Sequence, residues 1–375
     1  MTIWFLLGRF GDGGLERVQI EIVRAMRAQG LDARLVVGHF QGNAQEQVPP
    51  DVPWMSISRA GRLWFPFALA RALRRERPDI AFTSANDVAC LALILRAFVS
   101  PGTRIVVAQH LSLSGPRIAS TGLRRAKLEA IRWLMRRLLP NAEGIVAVTR
   151  TLAHDLGDEL SIPLHRIDVI HNPAVTPDTE ARIGEDPAWP WAADGVPTVV
   201  FVGRLEKVKR PDLLIEAFAT LLATTEARLL IVGAGPLDGW IRQQIDARGL
   251  APHCALVGYR ANPLPYVRRS DVLVLPSDHE GFGLVLVEAM ACGTQVVATD
   301  CPHGPAEILD EGTYGQLVPC GDADALAAAI TRVLSGQSVV PAESLLDRSA
   351  DFTLERSCQA YLRLVDRVTG QDCRR

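Results

Sequence analysis

Asp271-Val272-Leu273-Val274-Leu275-Pro276 leads, after three further residues, into Glu280-Gly281-Phe282-Gly283-Leu284-Val285-Leu286-Val287-Glu288-Ala289-Met290-Ala291-Cys292-Gly293. The first six residues read as a buried strand, and the longer stretch as a glycine-broken turn entering a helix. One acid, Glu280, opens the turn, and a second, Glu288, sits on the helix. Ionised carboxylates are rarely buried without a partner. A helix N-terminus near Gly283 supplies backbone N–H groups and a positive dipole end. Acids that accept from hydroxyls, beside amides that donate to phosphate, suit a polyhydroxylated, phosphorylated ligand. A surface loop before an ordinary capped helix, with both acids solvated, is the plainer alternative.

Outward from this stretch, short β-branched runs alternate with amphipathic ones, the pattern of parallel sheets with crossover helices. In the first half, strands are expected near 2–7, 32–37, 80–83, 104–109, 144–148 and 167–170, with helices near 15–28, 64–77, 84–98, 122–138 and 150–160. The second half restarts at Thr198-Val199-Val200-Phe201-Val202-Gly203. Its strands are expected near 198–203, 228–232, 254–258, 271–275 and 295–298, and its helices near 211–223, 237–248, 264–269, 283–292 and 322–334. Between the halves lies a Pro-rich, strand-free stretch with Pro173, Pro177, Pro187, Pro190 and Pro197, read as a linker. The expected division is 1–172, linker 173–197, 198–350, and a C-terminal helix in 351–375. On that helix Leu354, Cys358, Tyr361, Val365 and Val368 form one stripe, which should pack on a domain face, the first half being one candidate. The expected fold class is α/β, two Rossmann-like domains facing across a ligand-binding cleft.

Length and composition agree with this organisation. At 375 residues the chain exceeds what one core usually supports. Val88–Val99, the longest apolar run, is too short to cross a bilayer and contains Arg96. The start, Met1-Thr2-Ile3-Trp4-Phe5-Leu6-Leu7, lacks a basic leader and reads as a first strand. Seven cysteines, at 90, 254, 292, 301, 320, 358 and 373, form no C-x-x-C pair, which favours reduced thiols in a cytoplasm over a structural zinc. Residues 1–172 carry 22 Lys+Arg against 15 Asp+Glu, and the remainder 18 against 27, so a basic front half hides within a net charge of −2. Such a front half should face something anionic.

Several residues could carry chemistry. Gly203-Arg204-Leu205-Glu206-Lys207-Val208-Lys209-Arg210 follows a strand, where ligands of open α/β sheets bind. Two of the chain's three lysines fall in this loop. With Arg204 they suit a diphosphate, although a solvated basic turn has the same composition. Gly8-Arg9-Phe10-Gly11-Asp12-Gly13-Gly14 permits close approach of backbone to phosphate or sugar, but it is not a G-x-G-x-x-G fingerprint. Gly233-Ala234-Gly235-Pro236 reads as a tight strand-to-helix turn. His110, with Leu111-Ser112-Leu113-Ser114-Gly115 behind it, follows a strand; a lone histidine there is more often structural, and its place at the expected cleft edge is what raises a functional role to an equal alternative. His171 and His303 are weaker candidates. No Ser/His/Asp set and no metal-ligand spacing is evident. From Arg117 to Arg137, Arg117, Arg124, Arg125, Lys127, Arg132, Arg136 and Arg137 face one acid, Glu129, with Ile131, Leu134, Met135, Leu138 and Trp133 among them. That is the pattern of a basic amphipathic helix on an anionic membrane, or of a charged helix packed on its own domain. No nucleic-acid reader motif accompanies it.

Taken together, Gly203-Arg204-Leu205 with Lys209, Glu280-Gly281-Phe282-Gly283, Glu288-Ala289-Met290-Ala291-Cys292-Gly293 and Val296-Val297-Ala298-Thr299-Asp300 resemble the family-4 retaining glycosyltransferases of GT-B fold. The similarity is strongest over 198–310, and the N-terminal glycine loop and His110 are consistent with it. The resemblance implies that Arg204 and Lys209 hold a donor diphosphate. It implies that Glu288 accepts from the ribose, and that Glu280 and the backbone of Gly281, Phe282, Gly283 and Leu284 grip the transferred sugar and its phosphate. Gly13 and Gly14 would approach the diphosphate from an acceptor-binding domain, His110 would lie by the sugar, and Tyr259 and Arg260 near the base. The resemblance implies transfer with same-face attack, the leaving phosphate taking the acceptor proton. No metal, cofactor or protein nucleophile is then needed, and electrostatic stabilisation of the leaving group carries most of the chemistry.

Asp300-Cys301-Pro302-His303-Gly304-Pro305-Ala306-Glu307-Ile308-Leu309 resembles the branch that builds bacterial surface polysaccharides and lipid-linked glycans. That likeness implies a UDP-sugar donor, a hexose or N-acetylhexosamine, a glycan or polyprenyl-linked acceptor, and a cytoplasmic enzyme docked peripherally on the inner membrane face through helix 122–138. Two departures stand out: Lys209 is followed by Arg210 where a glycine is frequent, and Asp12 lies among the N-terminal glycines. Asp12 would repel a diphosphate unless turned away. Two other readings remain open, a nucleotide-sugar epimerase of the same fold and a non-catalytic nucleotide-sugar-binding relative.

Overall fold

The computed structural model describes residues 1–11, 13–42, 44–57, 64–113, 122–192 and 195–370, without the side chains of Gln47, Leu123 and Arg124. Asp12, Ser114, Gly115, Arg117, Cys373 and the Arg124 side chain, singled out above, therefore lie outside the described residues. The chain forms two units, Met1–Pro173 with Leu354–Arg375, and Ala174–Thr353.

The first unit is built on a parallel sheet of β1 (Thr2–Phe10), β2 (Asp32–Phe40), β3 (Trp54–Ser56), β4 (Ile80–Thr83), β5 (Arg104–Gln109), β6 (Gly144–Ala147) and β7 (Ile167–Val169), in the order β3-β2-β1-β4-β5-β6-β7. Strands such as β4 and β6 are buried throughout, as parallel strands covered on both faces must be. The described helices are α1 (Gly14–Ala28), α2 (Phe65–Glu76), α3 (Asn86–Val99), α4 (Gly122–Leu138) and α5 (Arg150–Leu160). Thr149 caps α5, its hydroxyl accepting from Leu152 N at 3.1 Å.

The C-terminal helix, α14 (Leu354–Thr369), belongs to this first unit. Tyr361 is buried with its ring 5.5 Å from Phe82 and 6.4 Å from Phe5, and those two rings stack at 4.8 Å. Burying an aromatic of this size contributes about 2–3 kcal/mol. Gly144 on β6 makes the approach possible, since a Cβ there would stand 3.1 Å from Leu364 Cδ1. Ser357 Oγ donates to His171 O at 2.8 Å, and the Arg367 guanidinium grips the Asp168 carboxylate. Leu354, Cys358, Tyr361 and Val365 of the expected stripe are buried, and Val368 is half-buried at its end.

The second unit carries β8 (Thr198–Val202), β9 (Arg228–Val232), β10 (Cys254–Gly258), β11 (Val272–Leu275), β12 (Gln295–Thr299) and β13 (Gln316–Val318), all parallel, in the order β10-β9-β8-β11-β12-β13. Its described helices are α6 (Thr179–Ile183), α7 (Pro211–Leu222), α8 (Asp238–Ala247), α9 (Leu264–Arg268), α10 (Leu284–Ala291), α11 (Pro305–Ile308), α12 (Ala323–Leu334) and α13 (Ala342–Ser349). Phe201, Leu214, Phe218, Leu229, Ile231, Val274 and Ile330 share one core between the sheet and the helices on it. Strands β3 and β13 were not anticipated. Each has only three residues, as has β7, which was anticipated, so shortness weakens the periodic signal without abolishing it. The segment expected as a linker is not bare: it includes α6, and Ala174 N and Val175 N both donate to Phe352 O. Cys90, Cys254, Cys292, Cys301, Cys320 and Cys358 are free thiols.

Candidate functional site

In each sheet the strand order reverses once, and the two strands at that reversal send their loops out side by side. In open α/β sheets ligands bind outside the carboxyl ends of such strands. In the second unit the reversal falls between β8 and β11. The loop after β8 carries Arg204, Lys207 and Lys209, and the loop after β11 carries Glu280 and Gly281.

These loops are joined by side chains. Lys209 Nζ lies 2.5 Å from Glu280 Oε1, and the same oxygen accepts from Ser277 Oγ at 2.6 Å. Ser277 O in turn accepts from Thr299 Oγ1 at 2.5 Å, at the end of β12. The backbone adds a rung, Asp278 N donating to Val208 O at 2.9 Å. The Glu280 side chain is only 9% exposed, so a carboxylate there requires both the ammonium and the hydroxyl. Arg204 is far more open, 56% exposed, and pairs with Glu206 at 2.6 Å. An exposed pair of this kind contributes between zero and about 1 kcal/mol, so an incoming anion releases Arg204 cheaply.

Glycines shape the floor. Gly233 has φ +152, and a Cβ there would stand 1.9 Å from Gly203 O. One on Gly235 would stand 2.5 Å from Leu205 O. The turn 233–236 is therefore tight because it backs the loop after β8, and Leu205 N donates to Ala234 O at 3.0 Å. Gly283, at φ +97, opens α10, which starts without a side-chain cap. Gly281, Phe282 and Gly283 are buried and Leu284 is half-buried. Phe282 packs its ring 5.7 Å from Phe352, and Gly304, at φ +136, lets the loop after β12 come against Phe282 O. Glu288 is 5% exposed on α10. Tyr259 is 53% exposed, while Arg260 donates to Tyr266 Oη at 3.1 Å and to Tyr259 O at 3.2 Å.

In the first unit the reversal falls between β1 and β4. Gly13 precedes α1, which begins at Gly14. Gly11 N donates to Glu16 Oε1 at 3.0 Å, and a Cβ on Gly13 would meet Glu16 Oε2 at 2.4 Å. A carboxylate thus already occupies the start of α1, where dipole and amides favour an anion. Residue 16 escaped the sequence reading, although glycine at the cap with an acid three positions on is the spacing of a capping box. His110, immediately beyond β5, is 8% exposed with neither ring nitrogen hydrogen-bonded, and burial pushes its imidazole down to about 4. It is a neutral base at physiological pH. Gln19 of α1 is buried with Nε2 on Ser84 Oγ and Oε1 unpartnered. Among the described residues, no group of three or more His, Cys, Asp or Glu side chains is placed to hold a metal ion.

Sequence reasoning also missed Glu206, Ser277, Asp278 and Thr299. Their signal lay in being polar at strand ends, which many surface residues share.

Comparison with known proteins matches this geometry to a family. Residues 12–176 match the model for Glycosyltransferase Family 4, and residues 188–347 that for Glycosyl transferases group 1. D-inositol 3-phosphate glycosyltransferase of Mycolicibacterium smegmatis is 32% identical over 244 residues, covering 62% of this chain and 54% of that protein. The N-acetylgalactosamine-N,N'-diacetylbacillosaminyl-diphospho-undecaprenol 4-alpha-N-acetylgalactosaminyltransferase of Campylobacter jejuni is 29% identical over 203 residues, 54% of each. The chain thus spans about half the length of these curated relatives. Anabaena Alr3699/HepE, solved in complex with UDP and glucose, superposes with a TM-score of 0.78 at 20% identity over 98% of this chain and all of that one, a likeness of fold. With both units matched in sequence and the architecture shared, the chain belongs to the family-4, group-1 glycosyltransferases of GT-B fold.

Proposed function

We propose that this protein transfers a hexose or N-acetylhexosamine from a UDP-sugar to a glycan or polyprenyl-linked acceptor, with retained configuration, in surface-polysaccharide assembly. The observation that carries the reading is the meeting of Lys209 and Glu280 across the reversal point of the second sheet, beside the uncapped start of α10 and the loosely paired Arg204. A diphosphate entering there displaces Glu206 from Arg204 and competes with Glu280 for Lys209. Glu280, released, is free to accept from sugar hydroxyls, with Glu288 serving the ribose. In the transfer, the bond from the sugar's anomeric carbon to the diphosphate oxygen breaks and one to the acceptor oxygen forms on the same face. The acceptor proton passes to the departing phosphate. Each cation or amide aimed at the developing charge is worth roughly 10²–10³ in rate. No metal or cofactor enters this scheme. The D-inositol 3-phosphate and the diphospho-undecaprenol-linked sugar in the names of the relatives support a phosphorylated acceptor.

A peripheral place on the inner membrane face is part of the proposal. No described helix is long and apolar enough to cross a membrane. On α4, Arg125, Lys127, Arg136 and Arg137 are exposed beside Trp133, which is 57% exposed and has Arg137 stacked on its ring at 5.1 Å. Arg132 departs from the expected pattern: it pairs with Glu159 at 2.6 Å and serves the domain's own packing. On α2 and α3, Phe67 and Phe98 are 70% and 81% exposed, and a hollow of about 470 Å³ is lined by Ala70, Arg71, Arg74, Arg75 and Val99. Cations with protruding aromatics are what an anionic bilayer surface attracts.

Thermal shift against UDP, GDP, ADP and their sugar conjugates tests the donor reading, because binding to the native state raises the melting point by mass action. One nucleotide should give a clear shift that Arg204→Ala removes. No shift with any of them would sink the donor reading and favour a non-catalytic relative.

A further inference from the structure

Arg210 breaks a backbone rule. Its φ of +49 and ψ of +52 put an L-residue with a long side chain in the left-handed region, which glycine occupies freely and arginine seldom does. Pro211 follows, and its ring disfavours the right-handed alternative for the residue before it. A glycine would take this conformation without strain, so the arginine side chain must return something to the structure.

What it returns is a tie between loops. Arg210 Nε donates to both Asp212 oxygens at 3.0 Å, which fixes the plane of the guanidinium. Nη1 then reaches across to Asp278 Oδ1, also at 3.0 Å. A Cβ on Gly321, after β13, would lie 3.8 Å from Nη1, so a third strand-end loop passes beside the group. Flanked by two carboxylates, the guanidinium is driven further above its already high pKa and stays charged throughout the accessible pH range. Arg210 adjoins Lys209, and Asp278 lies two residues before Glu280. Two parallel ion pairs, Lys209–Glu280 and Arg210–Asp278, therefore span the same pair of loops.

The two pairs differ in what a ligand does to them. A diphosphate competes for Lys209, whereas Arg210 is turned away from that contest by its paired carboxylates. We propose that Arg210 is a positioning residue, a strap that keeps the Lys209 loop against the Glu280 loop while the Lys209–Glu280 pair opens to admit a phosphorylated ligand. The inference rests on the donor-site reading above, and it concerns a group that touches no substrate.

Amide hydrogen exchange on the ligand-free chain tests the strap without any nucleotide. Arg210→Gly should fold, because glycine accepts this backbone, yet exchange over residues 205–210 and 277–283 should quicken. Asp278→Asn should reproduce that pattern, and the double variant should exceed neither single one, as expected for one shared contact. With UDP present, Arg210→Gly should weaken binding about tenfold, the size of one lost charge-assisted tie. In transfer assays the donor KM should rise more than kcat falls, and Arg210→Lys, which keeps the charge but not the fork that joins Asp212 to Asp278, should recover only part of the loss. Unchanged exchange in both single variants, or additive effects in the double, overturns the strap. A wild-type chain that binds no nucleoside diphosphate overturns the donor-site reading instead, and the exchange arm still decides whether the strap exists.

Discussion

Lys209 and Glu280, 71 positions apart in sequence, share a 2.5 Å ion pair at the point where the second sheet changes direction. Each neutralises the other. On the proposed function, the pair holds in a single contact a cation for the donor phosphates and an anion for the sugar hydroxyls. Replacing Glu280 by Gln keeps an acceptor for Ser277 while cancelling the charge. Transfer should fall at least 10²-fold, the scale of a lost transition-state contact, with the fold intact by circular dichroism. Turnover near the wild-type level would remove Glu280 from the proposed chemistry.

Gly233 and Gly304 should be intolerant of any side chain. Both combine positive φ with a neighbouring carbonyl about 2 Å from the added Cβ. Alanine at either position should cost roughly 2–4 kcal/mol in urea unfolding. Gly249 serves as control: its φ is also positive, at +68, but nothing lies within 4 Å, so Gly249→Ala should cost only about 1 kcal/mol. Equal costs at all three would show that backbone conformation, not loop contact, sets the requirement.

His110 predicts an acid-sensitive first unit. Burial lowers its folded pKa to about 4 from the ordinary 6.5, so the unfolded chain takes up the proton first. The stabilisation is complete above pH 6.5, declines as pH falls towards 4, and is lost below that. It amounts to no more than roughly 3 kcal/mol. His110→Gln should flatten this part of the stability profile. An unchanged slope between pH 6.5 and 4 would assign the acid sensitivity to other groups.

Membrane docking should depend on the exposed cations of α4, of which Arg136 also donates to Ser161 Oγ at 2.8 Å and Arg137 stacks on Trp133. Substituting Arg125, Lys127, Arg136 and Arg137 by Gln should release the protein from anionic liposomes, at about 1 kcal/mol per cation near the surface. Arg132→Gln should instead lower the melting temperature and leave sedimentation with liposomes unchanged, because it breaks the pair with Glu159. A wild type that ignores anionic liposomes would end the docking proposal.

Much of this was legible in the chain. Long elements with a clear period, such as α4 and α5, lie over the residues that the pattern indicated, and α14 buries most of the stripe read from Leu354 onward. The turn at Gly233-Ala234-Gly235-Pro236 lies where it was read, whereas Gly8, read as the start of a loop, lies inside β1, and the sequence could not say what each glycine makes room for. The short strands β3 and β13 carry only a weak periodic signal, and α6 lies in a stretch whose prolines dominated the reading. Arg132 illustrates a different limit. Composition marked it as one cation among many, and its ion pair with Glu159 is visible only in the structure.

Local pattern determined the alternation of buried strand and amphipathic helix, the restart near residue 198, and the family motifs, since all of these depend on residues close together in the chain. Strand order is another matter. Nothing in Val199–Val202 or Val272–Leu275 specifies that β8 lies beside β11, because every parallel buried strand reads alike. That adjacency arises from packing the whole sheet, and with it come the Lys209–Glu280 pair, the Arg210–Asp278 tie and the approach of Gly304 to Phe282. The sequence supplied the reactive groups; the tertiary structure decided which of them meet, because their meeting is fixed by contacts between segments tens of residues apart.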